Sequence, residues 1–254
     1  MSLPFVIAHR GNSSGAPENS LAAFQQALDL GVDFIELDVN HTRDGHPVIV
    51  HGPGLKKTAG VDRSIHDLTL AKARQLDIGS WKGKQFGDEQ MLTLSEVLNF
   101  ARMRVRLAVD LKTDEIIPEI VRCIQEGDMV DEVVICGCSV SLARQVRECD
   151  SRLTVGLNMD SDMVSLAKQG ASSEFHQAYV RQATYNHLSP LNMNFKYITP
   201  ELVRLAHLRA IQLFAWTVDE EDDMRSLIGM GVDAIYTNFP KRLQAVLAEG
   251  IFYD

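Results

Sequence analysis

Cysteine is scarce in this sequence, and no apolar run is long enough to cross a membrane. The four cysteines (Cys123, Cys136, Cys138 and Cys149) include no CxxC pair and have no histidine at zinc-finger spacing. We therefore expect reduced, mainly buried thiols, as in cytoplasmic proteins. A spanning helix needs roughly 20 apolar residues, which no segment supplies, and residues 1–4 lack the basic region of a signal peptide. Stable membrane anchoring is not expected.

Three common active-site motifs are also missing: the GxGxxG fingerprint, the GxxxxGK[ST] loop and the HExxH helix motif. Their absence argues against a dinucleotide oxidoreductase, a P-loop nucleotide kinase and a zinc protease. The formal net charge of −9 gives a surface that repels nucleic acid, which is therefore not an expected partner. This charge still allows a local cationic pocket that binds a phosphate.

What is present is a regular alternation of short apolar runs with longer amphipathic stretches, which is typical of parallel βαβ units. The predicted strands are residues 5–8, 33–39, 105–111, 132–136, 153–157, 191–194, 211–216 and 234–237. The clearest helical patterns are residues 20–30, 200–208 and 220–230, whereas residues 176–190 have no clear period. The α/β class and the number of units favour a (β/α)8 TIM barrel. A doubly wound open sheet is the alternative.

One long connection interrupts this alternation between the second and third predicted strands. It contains a hairpin that ends at residues 47–50 and a Gly-Ser-Trp-Lys-Gly run at residues 79–83. Long connections of this kind are usually functional. We therefore expect residues 1–254 to form one barrel domain, in which a small insertion at about residues 52–90 covers the barrel mouth and sets substrate choice.

Charged residues follow the first predicted strand directly. The active sites of TIM barrels lie at the C-terminal ends of the strands, and His9 and Arg10 come immediately after residues 5–8. A histidine beside an arginine suits a proton carrier next to an anion clamp. The alternative is a structural histidine beside a surface arginine.

The second and third strands carry carboxylates at their C-terminal halves. Glu36 and Asp38 are two residues apart and therefore point to the same face of an apolar strand, and Asp110 and Lys112 repeat this spacing on the next strand. Buried carboxylates need a compensating cation. Arginine or lysine side chains would serve, or else a metal. An all-oxygen site of Glu36, Asp38 and Asp110 suits Mg²⁺ or Ca²⁺, with Lys112 as a fixed charge beside it.

A second histidine also ends an apolar run. His51 follows the hairpin residues 47–50, whereas His41, His46 and His66 lie in polar contexts, where we expect them to be solvated. Two histidines beside a divalent cation form a general acid–base pair around an electrophile. His9 and His51 are therefore the candidate proton carriers.

Six motifs, in this order, resemble the glycerophosphodiester phosphodiesterase family. They are HRG at residues 9–11 followed by PENS at 17–20, FIELDV at 34–39, DG at 44–45 followed by PVIVH at 47–51, GSW at 79–81 followed by LTLSEVL at 92–98, AWTV at 215–218, and GVDAIYT at 231–237. The resemblance covers nearly the whole chain, and the shared order and spacing make it specific.

The resemblance implies a (β/α)8 barrel that binds one divalent cation, Mg²⁺ or Ca²⁺, and hydrolyses a small-molecule glycerophosphodiester to glycerol 3-phosphate and an alcohol. It implies three groups of site residues. The metal ligands would be Glu36, Asp38 and Asp110, the acid and base would be His9 and His51, and the substrate-binding residues would be Arg10, Lys112, Glu18 and Trp216. Glu18 would support His9 and Arg10, and Trp216 would shape the pocket.

The chain departs from the family pattern at three positions. Gly52 follows His51 where the family usually has aspartate, Asp110 stands where glutamate is common, and Asn238 replaces the aspartate of the final Thr-Asp motif. The absence of a carboxylate at Gly52 bears on the orientation of His51. A shorter ligand at Asp110 would draw the metal toward its strand or leave room for another water.

Three other activities are compatible with parts of this pattern. A lysophospholipase D-type phosphodiesterase would keep both histidines and an aspartate ligand on the same barrel. A non-catalytic phosphodiester-binding protein would follow if Gly52 marked a decayed site. A metal-dependent aldolase would use the carboxylates but has no need of two histidines. Release of glycerol 3-phosphate from glycerophosphocholine, with and without a chelator, separates a phosphodiesterase from the aldolase and from the binding protein.

Overall fold

The computed structural model describes residues 3–168 and 172–250. Its strands are β1 (Phe5–Ala8), β2 (Phe34–His41), β3 (Pro47–Ile49), β4 (Arg106–Leu111), β5 (Val133–Cys136), β6 (Thr154–Val155), β7 (Leu157–Asn158), β8 (Leu191–Asn194), β9 (Leu213–Trp216) and β10 (Ala234–Thr237). The strands other than β3 pair in parallel in the order β6-β5-β4-β2-β1-β10-β9-β8-β7, and β3 pairs antiparallel with β2. This order is that of a nearly closed barrel.

The two ends of the sheet belong to one stretch of chain, on either side of Gly156. Gly156 donates its backbone N–H to the carbonyl of Ile135 on β5, and Leu157 donates to the carbonyl of Pro190 just before β8. The chain therefore changes its pairing partner at Gly156, where a Cβ atom would lie 3.0 Å from the Pro190 carbonyl oxygen. The predicted strand at residues 153–157 is thus two short strands that join the ends of the barrel.

Most of the helices connect the parallel strands and cover the outside of the barrel. They are α1 (Leu21–Asp29), α2 (Lys56–Ala59), α3 (Leu70–Ala73), α4 (Leu94–Ala101), α5 (Ile117–Glu126), α6 (Val140–Cys149), α7 (Ser161–Lys168), α8 (Ser172–Tyr185), α9 (Pro200–His207), α10 (Glu221–Met230) and α11 (Pro240–Ala248). Local signals place their starts. Ser20 caps α1 by accepting from the Ala23 N–H, and Thr93 and Glu96 form a capping box on α4.

The fold prediction is confirmed, and most element bounds agree with the prediction to within two residues. The predicted strand at residues 191–194 coincides with β8. Helix α8 was not predicted. Its buried residues Phe175, Tyr179 and Ala183 do follow helical spacing, but the buried His176 interrupts their apolar pattern.

Side-chain alternation on the strands separates the barrel interior from the layer under the helices. On β2, Ile35, Leu37 and Val39 pack in the main core under the helices, and Phe34 packs in a separate cluster with residues of β1, β4 and β9. The Arg106 guanidinium lies 4.1 Å from the centre of the Phe34 ring at the N-terminal end of this interior. Because Glu36 and Asp38 share the face of Phe34, the same alternation turns both carboxylates into the barrel.

The connection between β2 and β4 has a small core of its own. Val48, Leu55, Ile65, Ile78 and Met91 are buried together there, apart from the main core. The connection carries β3, α2 and α3 and touches the loop after β1, where Lys82 Nζ donates to the carbonyl of Ser13 at 2.8 Å. Whether this segment sets substrate choice stays a prediction.

Two histidine predictions were wrong. His41 is buried at the end of β2, and its ring stacks on His66 with the centroids 4.1 Å apart. His66 Nε2 lies 2.6 Å from Asn40 Oδ1, so His66 is held by contacts and is not simply solvated. Strand β2 extends to His41 because β3 pairs with its end, and this pairing buries residues that appear polar and loop-like in sequence. His46 is exposed as predicted.

The cysteines and the membrane prediction can be compared with the described residues. Cys136 and Cys138 are buried, Cys123 is half-buried, Cys149 is exposed, and all four are free thiols. Among residues 3–168 and 172–250, no helix has the length and apolar character that a membrane span requires.

Candidate active site

Three carboxylates meet at the C-terminal end of the barrel. Glu36 and Asp38 lie on β2 and Asp110 lies on β4, where Asp38 and Asp110 are direct cross-strand partners. One oxygen from each carboxylate lies within 4.8 Å of the others. Glu36 and Asp38 are 2% and 1% exposed. The structure therefore brings together the three residues predicted as metal ligands.

Two cationic side chains contact this cluster. Arg10 donates its backbone N–H to Glu36 Oε2 at 2.7 Å, and its Nε lies 3.0 Å from Asp38 Oδ2. Lys112 Nζ lies 2.9 Å from Asp110 Oδ2 and 3.2 Å from Asp38 Oδ1. Arg10 and Lys112, which we expect to bind phosphoryl oxygens, thus also compensate the charge of the buried carboxylates. The sequence had left open whether cationic side chains or a metal would do so.

The cluster contains more negative than positive groups, and the pKa values reflect this. Burial, followed by repulsion from Asp38 and Asp110, raises the pKa of Glu36 well above its usual value of 4.5. Burial also raises the pKa of Asp110, against the attraction of Lys112. Burial acts in the same direction on Asp38, but Lys112 and Arg10 together lower its pKa. Burial lowers the pKa of Lys112, whereas Asp110 and Asp38 raise it to about 12, so Lys112 stays charged.

The donor set of this cluster fits a divalent cation. All three candidate ligand groups are carboxylates, the oxygen donors that Mg²⁺ and Ca²⁺ prefer. Asp110 Oδ1 is buried and accepts no hydrogen bond from the described residues. A buried acceptor without a partner costs free energy, and a cation at that oxygen would remove the cost. A buried acidic cluster suited to a divalent cation is therefore present.

Two further residues affect where the carboxylates lie, and neither was predicted to be a site residue. Asn19 donates its Nδ2 to Asp38 Oδ2 at 2.8 Å and accepts the Asp38 N–H at 3.2 Å. Gly137 has a φ of +76°, and a Cβ there would collide with Asp110 Oδ1 and the Leu111 backbone. Asn19 lies in the PENS motif, which was a signal for it, whereas nothing in the sequence singled out Gly137.

His9 lies beside the carboxylate cluster. Its Nε2 is 4.0 Å from Glu36 Oε2, and its Nδ1 is 2.9 Å from Asn238 Oδ1. Burial, followed by the charge of Arg10, lowers the pKa of His9 to about 4. His9 is therefore neutral at pH 7 and is able to accept a proton.

His51 lies at the edge of the same cavity but is exposed. It follows the short strand β3. Although the residue is exposed, neighbouring atoms partly desolvate its ring, and this is the largest effect that lowers its pKa below the usual value of 6.5. A Cβ on the neighbouring Gly52 would meet no described atom within 4 Å. The Cβ of the aspartate that the family resemblance leads one to expect at position 52 would thus meet no clash.

Glu18 connects Arg10 to the segment predicted as an insertion. Its Oε1 accepts from Arg10 Nη1 at 2.9 Å, and its Oε2 accepts from Lys57 Nζ at 2.6 Å. Lys57 lies on α2 and also stands 5.5 Å from the centre of the Trp81 ring. Glu18 therefore supports Arg10, as the resemblance implied, while no hydrogen bond joins it to His9 among the described contacts.

Ser13 lies in a Gly-x-Ser-x-Gly run, residues 11–15, a spacing also found around the nucleophile of serine hydrolases. Its hydroxyl lies 2.8 Å from Asn238 Oδ1 and 2.9 Å from the His9 carbonyl oxygen. Neither neighbour is a histidine nitrogen that could activate the hydroxyl. The arrangement is that of a structural serine.

A cavity of about 440 Å³ opens over the cluster. Most of the predicted site residues line it, together with residues that the sequence analysis did not select: His9, Arg10, Glu36, His51, Asp110, Leu111, Lys112, Gly137, Asn158, Met159, Asn192, Trp216, Thr217 and Tyr236. Two buried polar atoms in this lining, Asn192 Oδ1 and Trp216 Nε1, have no hydrogen-bond partner in the described part of the chain. Asn192 Oδ1 is an acceptor and Trp216 Nε1 is a donor.

Fold and site together define a TIM-barrel enzyme with a charged pocket at its C-terminal face. The sequence model of the glycerophosphoryl diester phosphodiesterase family matches residues 9–242. A glycerophosphodiester phosphodiesterase of Caldanaerobacter subterraneus subsp. tengcongensis is 34% identical over 251 residues, which cover 96% of this chain and 98% of that protein. The chain belongs to the glycerophosphoryl diester phosphodiesterase family, and it is therefore a phosphoric diester hydrolase.

Solved structures agree with this assignment. A phosphodiesterase of Oleispira antarctica, determined in complex with the product sn-glycerol-3-phosphate, superposes with a TM-score of 0.83 at 25% identity, over 97% of this chain and 97% of that one. A glycerophosphodiester phosphodiesterase of Agrobacterium tumefaciens has the same fold, with a TM-score of 0.81 at 20% identity, over 96% of this chain and 100% of that one.

Proposed function

We propose that the chain hydrolyses glycerophosphodiesters to glycerol 3-phosphate and an alcohol, with one divalent cation held by Glu36, Asp38 and Asp110. The observation that carries this proposal is the buried cluster of three carboxylates beside Arg10 and Lys112. A bound Mg²⁺ or Ca²⁺ would act as a Lewis acid that polarises a phosphoryl oxygen. The product complex of the Oleispira antarctica relative supports glycerol 3-phosphate as the product here.

The two cationic side chains would stabilise the charge that develops on phosphorus. A phosphodiester carries one negative charge, and further negative character appears on the non-bridging oxygens as the nucleophile approaches. Arg10 and Lys112 line the cavity and are held by carboxylates, so they are already oriented before substrate binds. Cations that are fixed in advance lower such a barrier without reorganisation.

His9 would act as the general base. Its side chain is half-buried, its lowered pKa keeps it neutral, and its Nε2 is on the side of the carboxylate cluster. It would take the proton from the attacking hydroxyl as the new oxygen–phosphorus bond forms. The attacking group is either the adjacent glycerol hydroxyl, which gives a cyclic phosphate that water then opens, or water itself.

His51 would act as the general acid. Its exposed position at the edge of the cavity suits a group that protonates the leaving alcohol as the phosphorus–oxygen bond breaks, because the alcohol departs to solvent. The two roles require one neutral and one protonated histidine in the substrate complex. The negative charge of the bound phosphodiester favours the protonated form of His51.

The glycerol portion would occupy the side of the cavity near Asn192 and Trp216. Their unpartnered acceptor and donor atoms match the two hydrogen-bonding roles of a hydroxyl group. A site built to hydrogen-bond a hydroxyl rejects analogues that lack it. These two unpartnered atoms support a glycerol-containing substrate over an unspecific phosphodiester.

We further propose one domain for residues 1–254, with an insertion at about residues 52–90 that borders the active site. The Lys57–Glu18–Arg10 contacts and the Lys82 contact to the loop after β1 support that position.

The free thiols support a cytoplasmic location. The net charge of −9 argues against nucleic acid as a partner.

The test of the proposed function is release of glycerol 3-phosphate from glycerophosphocholine, assayed with a chelator and after return of Mg²⁺ or Ca²⁺. Activity that is lost with the chelator and restored by the metal supports the proposal.

A panel of glycerophosphoethanolamine, glycerophosphoglycerol and a lysophospholipid separates a glycerophosphodiesterase from a lysophospholipase D. A diester that lacks the adjacent hydroxyl distinguishes cyclisation from direct attack by water. Full activity under excess chelator contradicts metal dependence.

A further inference from the structure

A chain of hydrogen bonds leads from Asp219 through Asn238 to His9. Asn238 Nδ2 donates to Asp219 Oδ2 at 2.7 Å, and Asn238 Oδ1 lies 2.9 Å from His9 Nδ1. The Asn238 backbone N–H and the Thr237 hydroxyl donate to Asp219 Oδ1 at 2.9 and 3.1 Å. Asp219 is therefore fixed by donors at the end of β10, and the amide between it and His9 is fixed in turn.

This chain determines which nitrogen of His9 carries the proton. An ionised carboxylate accepts hydrogen bonds and does not donate them, so the amide atom that faces Asp219 must be the NH2 group, and the atom that faces His9 must be the carbonyl oxygen. An acceptor at His9 Nδ1 requires a proton on that nitrogen. In the neutral imidazole, Nε2 is then the unprotonated nitrogen, and Nε2 is the atom 4.0 Å from Glu36 Oε2 in the cluster.

We propose that Asn238 and Asp219 are positioning residues that hold His9 in the tautomer a general base needs. This inference rests on the base role of His9 proposed above. It also gives a reason for the amide at Asn238, where the family resemblance leads one to expect an acid. A carboxylate at position 238 would have an oxygen beside Asp219 Oδ2, and two like charges at that separation repel. With the Asn238 amide present, the Asp219 carboxylate lies one side chain further from the His9 imidazole and acts on it through the oriented amide.

The test exchanges the acid and the amide. Asp219→Asn keeps the acceptor for the Thr237 hydroxyl and the Asn238 N–H but removes the group that orients the Asn238 amide. That amide is then free to rotate and present its NH2 group to His9. In the double variant Asp219→Asn/Asn238→Asp, the amide at position 219 donates to the carboxylate at position 238, which accepts from His9 Nδ1. The double variant therefore restores a set of hydrogen bonds in which each donor faces an acceptor and His9 Nδ1 again donates.

Two readouts are measured on the metal-loaded enzyme in Mg²⁺ or Ca²⁺. The first is the ¹⁵N NMR spectrum of the His9 imidazole, assigned by comparison with His9→Gln, which reports the tautomer without any activity measurement. The second is kcat and KM for glycerophosphocholine. We expect Asp219→Asn to populate the tautomer protonated at Nε2 and to lower kcat by roughly tenfold or more, the scale of losing an imidazole's orienting partner, with a smaller change in KM. The double variant should recover both readouts.

Ser13→Ala is the matched control, because it removes the other side-chain neighbour of Asn238 Oδ1 and leaves the chain to Asp219 intact. Its tautomer and kcat should stay near those of the wild type. An unchanged tautomer in Asp219→Asn, or a double variant no better than the single one, overturns the positioning role. A changed tautomer with unchanged kcat supports the positioning role and overturns the base role of His9. If Asp219→Asn does not fold, Asn238→Leu is used instead. It removes both the NH2 donor and the carbonyl acceptor of the side chain, and it is judged by the same readouts.

Discussion

Asp38 and Asp110 are direct partners across the parallel strands β2 and β4, and Lys112 Nζ contacts both, at 3.2 and 2.9 Å. The two carboxylates share the interior face of the barrel because each lies at the same phase of its strand's alternation. Lys112 and Arg10 offset two of the three carboxylates, and one negative charge of the Glu36, Asp38 and Asp110 cluster is left without a cation. The metal proposal follows from this excess.

Replacing Asp38 with alanine should abolish metal-stimulated hydrolysis while the barrel still folds. Removing a ligand should lower metal affinity by more than the roughly 10- to 100-fold that follows loss of a ligand's supporting residue. Isothermal titration calorimetry and circular dichroism measure affinity and fold. Asp128→Ala is the control, since this carboxylate is 79% exposed and pairs only with Arg102 in the described contacts. Full activity of the Asp38→Ala variant in excess chelator would contradict the proposed site.

Replacing Gly137 with alanine should weaken metal binding by roughly tenfold or more, on the scale of losing a ligand's support. The added Cβ collides with Asp110 Oδ1 and with the Leu111 backbone, so Asp110 must move. Gly45→Ala is a matched control, because Gly45 has a φ of +78° and a Cβ there meets nothing described within 4 Å. Both variants carry the backbone strain of about 1–3 kcal/mol, seen as a lower melting temperature. Equal metal affinity in both would show that Gly137 does not position Asp110.

Replacing His51 with alanine should lower kcat by roughly two to four orders of magnitude, the range for a general acid or base. KM should change far less, because Arg10 and Lys112 still bind the phosphate. His46→Ala, at a histidine whose side chain is 52% exposed, should leave turnover unchanged. A loss under about threefold at His51 would retire the two-histidine mechanism and leave His9 as the remaining proton carrier.

The pH dependence of turnover should be bell-shaped, with an acid limb well below pH 6.5. Burial, followed by the charge of Arg10, lowers the pKa of His9 from 6.5 to about 4, so the base stays unprotonated until the pH falls toward that value. The alkaline limb should lie at higher pH for kcat than for kcat/KM, because the bound phosphodiester raises the pKa of His51. Rates at two metal concentrations provide the control, since an acid limb caused by metal loss shifts with concentration. An acid limb at or above pH 6.5 at saturating metal would contradict the assignment of His9.

Replacing Asn192 with leucine should raise KM for glycerophosphocholine by roughly tenfold or more, the effect of one good hydrogen bond to a substrate hydroxyl. The kinetics with bis(p-nitrophenyl) phosphate, a diester without glycerol, should change little. Steady-state assays on both substrates measure the difference. Equal losses on the two substrates would show that Asn192 acts on the shape of the pocket and not on glycerol recognition.

The sequence by itself determined the barrel, the strand phase and most of the candidate site. Alternation on β2 and β4 is a local property, so the spacing of Glu36 and Asp38 predicted a shared face before any fold was known. His9 and His51 were found because each follows an apolar run directly. The motifs around them then indicated the family, because the order of motifs along a chain does not depend on the conformation of the loops between them.

Only the tertiary structure decided which residues surround those side chains. His9 and Asn238 are 229 positions apart and meet because β1 pairs with β10. Gly137 reaches Asp110 through the pairing of β4 with β5, and His41 is buried because β3 covers the end of β2. These contacts come from barrel closure and strand pairing, which join distant segments. Local periodicity carries no information about them, because it records the face on which a side chain lies and not the residue that it meets there.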